Sequence, residues 1–339
     1  MDSLDRFAEH AKGRGGTVVL PEGTDERILR AARRLADDDL ARVVLVGEAA
    51  AIKAAAAEAS VSLAGIDLRD PESDPATASF AQTIAGERDR MSEAMADRLV
   101  RRPLYFAGMM TAAGDANTLV AGVSTPTRRV IEAGMMTVGL VSGIETPSSF
   151  FFMVVPNFLG QGPKSFIFAD CGFNVDPSAA ELADIALASA SSAAQLLPEP
   201  PRVAMLSFST RGSASHPRID KVTEALALAR ARAPKLLIDG EFQADTALTP
   251  AVAAAKLKEE SDVAGRANVL VFPDLDSGNI GYKLTQYMAG ARAVGPILQG
   301  FRKPICDLSR GAMVEDVTAA AVIGLYRAQD TLAAAEVES

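Results

Sequence analysis

Residues 17–47 read TVVLPEGTDERILRAARRLADDDLARVVLVG, and their pattern indicates the fold class. The stretch opens with the short apolar run TVVL and closes with the β-branched run RVVLVG, each of strand length. Between these runs, apolar residues from Ile28 to Ala36 recur with the helical period, and Thr24 is placed to cap the helix. A strand, a helix and a second strand in this order predict a parallel pair of strands joined by a helical crossover.

The same alternation continues along the chain. Further strands are predicted at residues 117–121, 151–155, 166–170, 202–208, 236–239 and 268–272, with helices between them. A polar link is predicted over residues 67–75, a domain boundary near residues 142–147, and a last helix over residues 313–330. We therefore expect an α/β protein with mostly parallel sheets, whose chain end returns to the first domain.

The composition limits the possible partners. A length of 339 residues predicts two domains, and 48% hydrophobic residues are enough to bury a sizeable core. With 34 Lys and Arg against 43 Asp and Glu, the net charge is −9, so no basic field attracts nucleic acid or an anionic membrane. An anionic ligand then needs a local cluster of cations. The longest apolar runs fall far short of the roughly 20 residues of a membrane helix, and no secretory signal begins the chain, so we expect a cytosolic protein.

Two residue types that often carry catalysis are scarce. Cys171 and Cys306 are too few and too isolated for a disulfide framework, and no Cys/His spacing resembles a metal site. His10 and His216 are the two histidines of the chain, which argues against a Ser-His-Asp triad or a multi-histidine metal centre. The sequence therefore predicts no metal.

Three loops that each precede a helix are candidate anion sites, and the first two directly follow predicted strands. They read SFSTRGSASHP at residues 207–217, FPDLDSGNIGYKLTQ at 272–286 and KPICDLSRGAMVEDV at 303–317. In open α/β sheets, ligands bind beyond the carboxyl ends of the strands, where helix N-termini present N–H groups. The third loop is the most suggestive, because Arg310 can hold a substrate while Ser309 and Asp316 lie nearby.

Each candidate has a structural alternative. The first loop can be an ordinary Gly/Ser turn, and Asn279 in the second can belong to an Asx turn with a helix cap. Asp316 can simply favour the positive end of a helix dipole. Arginines at other positions can be solvated surface charges, namely Arg27, Arg88 and Arg129. The pattern thus predicts an anion-binding cleft without naming a reaction.

Seven co-linear segments resemble the phosphate acetyltransferases. They are PEGTDERILRAA (21–32), RPLYFAGMM (102–110), GDANTLVAG (114–122), FADCGFNVDP (168–177), AMLSFSTRGSA (204–214), ANVLVFPDLDSGNIGYKLTQ (267–286) and GPILQGFRKPICDLSRGAMVEDV (295–317). The resemblance implies two three-layer α/β/α domains with an active-site cleft between them, a fold shared with isocitrate and isopropylmalate dehydrogenases. It assigns residues 1–143 plus 298–339 to the first domain and residues 144–297 to the second.

The resemblance also implies an activity. The family transfers an acetyl group reversibly between coenzyme A and phosphate, so that coenzyme A, acetyl-CoA, acetyl phosphate and phosphate are its ligands, coenzyme A is a substrate rather than a cofactor, and a homodimer is expected. The family's catalytic aspartate falls on Asp316, and its serine-arginine pair on Ser309 and Arg310. These residues imply direct attack of the coenzyme A thiolate on acetyl phosphate in a ternary complex.

Further site residues are carried over from the same resemblance. Those implied to bind substrate are Arg27, Arg88, Arg129, Ser209, Thr210, Gly212, Ser213, Asn279 and Tyr287. Cys171 matches a family cysteine and is expected to be a packed residue near the site. Tyr287 stands where many members have an arginine, and Met313 stands where a small capping residue would suit the start of the last helix.

Other functions stay open at this point. A longer acyl group, such as propionyl or butyryl, requires a pocket volume that sequence does not give. A protein that binds acyl phosphate and coenzyme A without catalysis is a second alternative. A dehydrogenase of the related fold is disfavoured, because no GxGxxG lies between a predicted strand and a helix.

Overall fold

The computed structural model describes residues 3–88 and 91–337, with side chains as far as Gln329. The chain divides into two compact units. Unit 1 comprises Ser3–Val141 and the chain from Phe301 onward, and unit 2 comprises Ser142–Gly300. None of the helices in the described residues is long and apolar enough to cross a membrane.

Strands and helices alternate through both units. In chain order the strands are β1 Thr17–Leu20, β2 Arg42–Val46, β3 Asp67–Arg69, β4 Thr118–Ala121, β5 Ser148–Val155, β6 Lys164–Ala169, β7 Arg202–Leu206, β8 Leu237–Phe242, β9 Val269–Val271, β10 Arg292–Gln299 and β11 Ile305–Asp307. The helices are α1 Ser3–Ala11, α2 Glu26–Asp37, α3 Ala49–Glu58, α4 Thr77–Gly86, α5 Glu93–Val100, α6 Pro103–Ala113, α7 Thr127–Thr137, α8 Ala179–Leu196, α9 Pro217–Arg232, α10 Ala244–Leu248, α11 Pro250–Lys256, α12 Leu275–Met288 and α13 Val314–Val337. A 3₁₀ turn spans Phe158–Gly160.

The strands of unit 1 are all parallel, in the order β3-β2-β1-β4-β11. Their short apolar runs are buried, and α2 covers them with a face that includes Ile28 and Leu35. α13 returns from the end of the chain to pack against α1, α2 and β4. Because β1, β4 and β11 are neighbours and point the same way, their carboxyl ends lie at one edge of the sheet.

Unit 2 has a mixed sheet in the order β10-β5-β6-β9-β7-β8. β5 is antiparallel to β10 and to β6, whereas β6, β9, β7 and β8 are parallel. Aromatic side chains fill the core on one face, including Phe166, Phe168 and Phe242. Tyr282 of α12 stacks on Phe151 with ring centroids 3.9 Å apart, which fastens this helix to the sheet.

The structure confirms the predicted α/β class and corrects three details. The cap of α2 is Asp25 rather than Thr24, since the Asp25 side chain accepts the backbone N–H of Arg27. Residues 67–69, predicted as part of a polar link, form the edge strand β3. Strands β10 and β11 were not predicted, because β10 contains a Gly-Pro pair and a bulge and β11 is three residues long.

Candidate active site

Three neighbouring strands of unit 1 carry loops that meet at one edge of its sheet. The chain leaves β1 toward Glu22, β4 through Gly122 and β11 toward Ser309. Gly122 has a φ of +112°, and a Cβ atom there would lie 2.5 Å from the backbone nitrogen of Leu308. The loops after β4 and β11 are therefore in direct contact.

The Glu22 carboxylate fastens the loop after β4. Glu22 is 9% exposed and accepts hydrogen bonds from four successive backbone N–H groups and one hydroxyl. The N–H donors are Gly122 (2.9 Å), Val123 (3.0 Å), Ser124 (3.0 Å) and Thr125 (2.7 Å), and the hydroxyl is that of Ser124 (2.9 Å). One buried acid thus satisfies a whole turn of backbone donors. The sequence analysis missed Glu22, although it lies in the quoted PEGTDER segment.

Arg27, in the first turn of α2, joins the loops after β4 and β11. Its Nη1 donates to the carbonyl oxygens of Arg310 (2.7 Å) and Ala312 (3.2 Å). Its Nη2 donates to the Val123 carbonyl (3.0 Å) and to Asp25 (2.8 Å), and its Nε donates to the other Asp25 oxygen (3.0 Å). A guanidinium has five N–H donors, so all of them are engaged within unit 1. The structure leaves Arg27, assigned above to substrate binding, no free donor.

Ser309 and Arg310 are exposed on the loop after β11. The Ser309 Oγ accepts the N–H of Gly311 at 3.1 Å, which leaves the hydroxyl hydrogen available to donate. The Arg310 guanidinium makes no hydrogen bond or ion pair with any residue that the structure describes. The loop therefore presents a hydroxyl donor next to an unneutralised cation.

Asp316 lies half-buried in the first turn of α13. Its Oδ2 accepts the N–H of Met313 at 2.8 Å and so caps the helix. Met313 itself supplies no capping side chain, and the Asp316 carboxylate holds its backbone N–H instead. Its Oδ1 accepts no hydrogen bond from the described part of the chain, which leaves one carboxylate oxygen to accept a proton.

Asp307, the last residue of β11, is a buried acid beneath this loop. Its Oδ2 accepts the Thr127 hydroxyl at 2.5 Å, and its buried Oδ1 has no partner among the described residues. Burial raises the pKa of Asp307 to about 7, and the negative charge of Glu22 acts in the same direction. The sequence analysis did not single out Asp307. In the described residues, no three His, Cys, Asp or Glu side chains are grouped so as to hold a metal ion.

Arg129 belongs to α7, and Arg88 contacts the same helix. Arg88 Nη2 donates to the Met135 carbonyl at 2.8 Å, and Arg129 pairs with Glu132 at 2.9 Å. Neither arginine is joined to Ser309 or to Asp316 by a hydrogen bond or ion pair within residues 3–88 and 91–337. The structure therefore places Arg129 as an exposed cation of unit 1, whereas Arg88 is partly buried and its Nε has no partner among the described residues.

In unit 2, the loop after β7 is closed by its own hydrogen bonds. The Ser209 hydroxyl donates to a Glu241 carboxylate oxygen at 2.7 Å, and the Gly212 N–H donates to the same oxygen at 2.8 Å. The Thr210 N–H donates to the Ser213 Oγ at 3.0 Å. The backbone N–H groups of Thr210 and Gly212, which were expected to face a phosphate, are thus hydrogen-bonded within the protein. The side-chain hydroxyls of Thr210 and Ser213 are further polar groups of this loop.

Two buried acids on β8 hold this loop. Glu241 and Asp239 are 3% and 5% exposed and lie two residues apart on the strand. The Arg211 Nη2 donates to both Asp239 oxygens, at 2.7 and 2.8 Å, and Arg230 donates to one of them at 2.7 Å. Neither acid was predicted. The available signal was a pair of acids within the otherwise apolar strand LIDGEF.

Cys171 and Asn279 come together at the carboxyl end of β6. The Asn279 Nδ2 donates to the Cys171 carbonyl oxygen at 3.2 Å. A Cβ on Gly278 would lie 3.2 Å from the Cys171 sulfur, so α12 packs closely here. Burial, together with the charge of Asp170, raises the pKa of the Cys171 thiol. Cys171 is therefore a packed, protonated thiol in this structure, as the sequence analysis expected.

Tyr287 belongs to an exposed apolar stripe on α12. The stripe comprises Ile280, Leu284, Tyr287 and Met288, each more than half exposed. Their spacing places them on one side of the helix. Tyr287, 82% exposed, is the aromatic member that replaces the cation expected from the family pattern.

Comparison with known proteins decides the family. A family model described as phosphate acetyl/butaryl transferase matches residues 3–325. The chain belongs to the phosphate acetyl/butaryl transferase family. A phosphate acetyltransferase of Acetivibrio thermocellus is 41% identical, over 97% of this chain and 99% of that protein. One from Bacillus subtilis is 38% identical, over 95% of this chain and 98% of its own length.

Solved structures agree with this family assignment. A phosphotransacetylase from Streptococcus pyogenes superposes with a TM-score of 0.88 at 35% identity, covering 97% of this chain and 98% of that one. A Salmonella typhimurium structure described as a 4-hydroxythreonine-4-phosphate dehydrogenase shares the fold alone, with a TM-score of 0.52 at 16% identity. The expected family, fold class and acyltransferase class are thereby confirmed.

Proposed function

We propose that this chain is a phosphate acetyltransferase, which transfers an acetyl group reversibly between coenzyme A and inorganic phosphate. The observation that carries the proposal is near full-length similarity to several proteins of that name, at 37% to 43% identity. The loop after β11 supports it, because the loop presents an exposed serine and arginine and is followed by a carboxylate with one open oxygen. Coenzyme A is a substrate here, and the proposal includes no resident cofactor.

The proposed mechanism is direct thiolate attack. Asp316 accepts the thiol proton of coenzyme A at Oδ1, because a thiol with a pKa of about 8.5 is mostly protonated near neutral pH. The thiolate sulfur bonds to the carbonyl carbon of acetyl phosphate, and the bond from that carbon to the phosphate oxygen then breaks to release phosphate. Arg310 stabilises the developing negative charge, and the Ser309 hydroxyl donates to the reacting centre.

Substrate binding is proposed for a further set of residues. These are Arg88, Arg129, Ser209, Thr210, Gly212, Ser213, Asn279 and Tyr287. The two arginines supply the local cations that a chain of net charge −9 needs for anionic substrates. In the loop after β7, the hydroxyl of the exposed Ser213 is the group best able to donate to a phosphate oxygen, since the Gly212 N–H is taken by Glu241 and the buried Thr210 hydroxyl donates to Gln243 at 3.4 Å.

We also propose that the chain forms a homodimer. The apolar stripe on α12 supports self-association, because large exposed apolar side chains aligned on one helix face are costly to leave in water. Transfer of a longer acyl group is a second candidate, since the family description includes butyryl transfer as well as acetyl transfer.

The decisive assay follows thioester absorbance with coenzyme A and acetyl, propionyl or butyryl phosphate. We expect wild type to turn over acetyl phosphate best, and Asp316→Asn to lose turnover by at least about a hundredfold with its fold retained. Glu315→Gln is the matched control, because Glu315 lies next to Asp316 but is exposed and paired with Arg34 at 3.3 Å. A wild type that turns over no acyl phosphate would instead indicate a binding protein.

A further inference from the structure

The segment Glu22–Arg27 holds the two loops that border Ser309 and Arg310. Glu22 gathers the N–H groups of residues 122–125, and Arg27 donates to the Val123, Arg310 and Ala312 carbonyls. Both side chains come from one short stretch after β1. The relative placement of the two loops therefore depends on this stretch.

Asp25 fixes the direction of the Arg27 guanidinium. Its two carboxylate oxygens accept from Arg27 Nε and Nη2, at 3.0 and 2.8 Å, and one of them also accepts the Arg27 backbone N–H at 2.9 Å. The side-chain hydrogen bond from Arg27 lowers the pKa of Asp25, which keeps the carboxylate ionised. Such a bidentate pair carries no net charge and has a defined geometry.

These contacts distinguish Arg27 from Arg310. Arg27 has a neutralising partner and no unused N–H group, whereas Arg310 has neither partner nor occupied donor among the described residues. An anion that bound Arg27 would have to displace the carbonyl of Arg310, Ala312 or Val123, or else Asp25. Of these two arginines, only Arg310 has N–H groups free to bind an oxyanion.

We propose that Arg27 is a positioning residue: paired with Asp25, it locks the backbone of the loop that presents Ser309 and Arg310, rather than binding substrate. This inference rests on the proposed acetyl transfer for its catalytic consequence. The catalytic benefit is preorganisation, because Ser309 and Arg310 are then held in position before the substrates bind.

The kinetic test compares three variants with wild type. Arg27→Gln, Arg27→Lys and Asp25→Asn are each expected to lower kcat by about tenfold or more, with the KM for acetyl phosphate and for coenzyme A within about twofold of wild type. Lysine keeps the charge but lacks the five-donor fork, so it should not restore kcat. Arg30→Gln, one turn along α2, is the matched control and should behave as wild type, since Arg30 is an exposed partner of Glu26.

The opposite kinetic pattern would overturn the proposal. If Arg27 binds substrate directly, Arg27→Gln should raise a KM by more than it lowers kcat, and Arg27→Lys should recover much of the loss. Asp25→Asn would then leave kcat unchanged or tighten anion binding, because it frees donors of Arg27. Thermal unfolding of every variant shows whether an effect on kcat reflects loss of the fold.

Amide hydrogen exchange tests the same inference without any turnover. We expect Arg27→Gln and Asp25→Asn to speed exchange in the peptide that covers residues 309–313, while exchange in β2 and in the Arg30→Gln variant stays as in wild type. Unchanged exchange at 309–313 would contradict the positioning role, whatever the assay shows. If the wild type were inactive but the variants showed this exchange pattern, the proposed function would be refuted and the positioning role of Arg27 would still be supported.

Discussion

Asp307 carries its proton at a pH where most carboxylic acids are ionised. Burial raises its pKa from 3.8 to about 7. Between these values the folded protein keeps a proton that the unfolded chain releases, so the free energy of unfolding falls as the pH rises through this window and levels off above it. Asn mimics the protonated side chain without titrating. Asp307→Asn should therefore gain stability relative to wild type as the pH rises.

Urea unfolding of both proteins at about pH 5 and about pH 8 measures this effect. We expect the difference between variant and wild type to shift in favour of the variant by at least about 1 kcal/mol from the lower to the higher pH. A difference that is the same at both pH values would show that Asp307 does not titrate between them.

At the scale of single elements, β8 secures the loop after β7 through Glu241. We expect Glu241→Ala to lower the free energy of unfolding by about 2 to 3 kcal/mol, because the Ser209 hydroxyl and the Gly212 N–H lose a buried charged acceptor. Chemical unfolding measures the loss. Glu224→Ala on the exposed side of α9 serves as control and should stay within about 0.5 kcal/mol of wild type. Equal effects of the two variants would show that Glu241 does not hold the loop.

The apolar stripe on α12 leads to a prediction about assembly. Leu284 lies in the middle of the stripe and is 52% exposed. Leu284→Asp should shift the protein from dimer toward monomer in sedimentation experiments, since burying an unpaired carboxylate in an interface is costly. Lys283→Gln, at its neighbour in sequence, makes the same charge change of −1 outside the stripe and should leave the dimer intact. A wild type that sediments as a monomer would contradict self-association through this face.

Sequence pattern predicted elements best where the apolar runs were long. TVVL and RVVLVG coincide with β1 and β2, because buried parallel strands read as unbroken apolar runs. Strand β3 was not predicted, because an edge strand of sequence DLR has few apolar residues. The site loops were predicted from the succession of strand, loop and helix. The acids Glu22, Asp307 and Glu241 were not, because their burial depends on donors that are distant along the chain.

At the scale of the whole molecule, the two units differ in how the chain builds them. Unit 2 is one continuous segment, and its core cluster from Phe151 to Ala291 lies entirely within it. Unit 1 needs both chain ends, because α13 buries Val317 and Ile323 and its Leu325 side chain reaches Gly16. A fragment of residues 142–300 should therefore fold alone, whereas a fragment of residues 1–141 should not.

Circular dichroism with urea titration tests both fragments against the full chain. We expect a cooperative transition for 142–300 and none for 1–141. Adding a separate peptide of residues 301–339 to the second fragment should restore structure, because that peptide supplies β11 and α13. A cooperative transition in 1–141 alone would show that the chain end is dispensable for unit 1.

Because unit 1 is built from both ends of the chain, its sheet stays incomplete for part of the protein's synthesis. When β4 leaves the ribosome, its partner β11 has not been made, and the whole of residues 142–300 must be translated first. At elongation rates of about 5 to 20 residues per second this takes roughly 10 to 30 s, during which β4 presents an open, apolar strand edge. The nascent chain is thus exposed to mispairing for that interval, and the loop with Ser309 and Arg310 is completed only when the edge is finally covered.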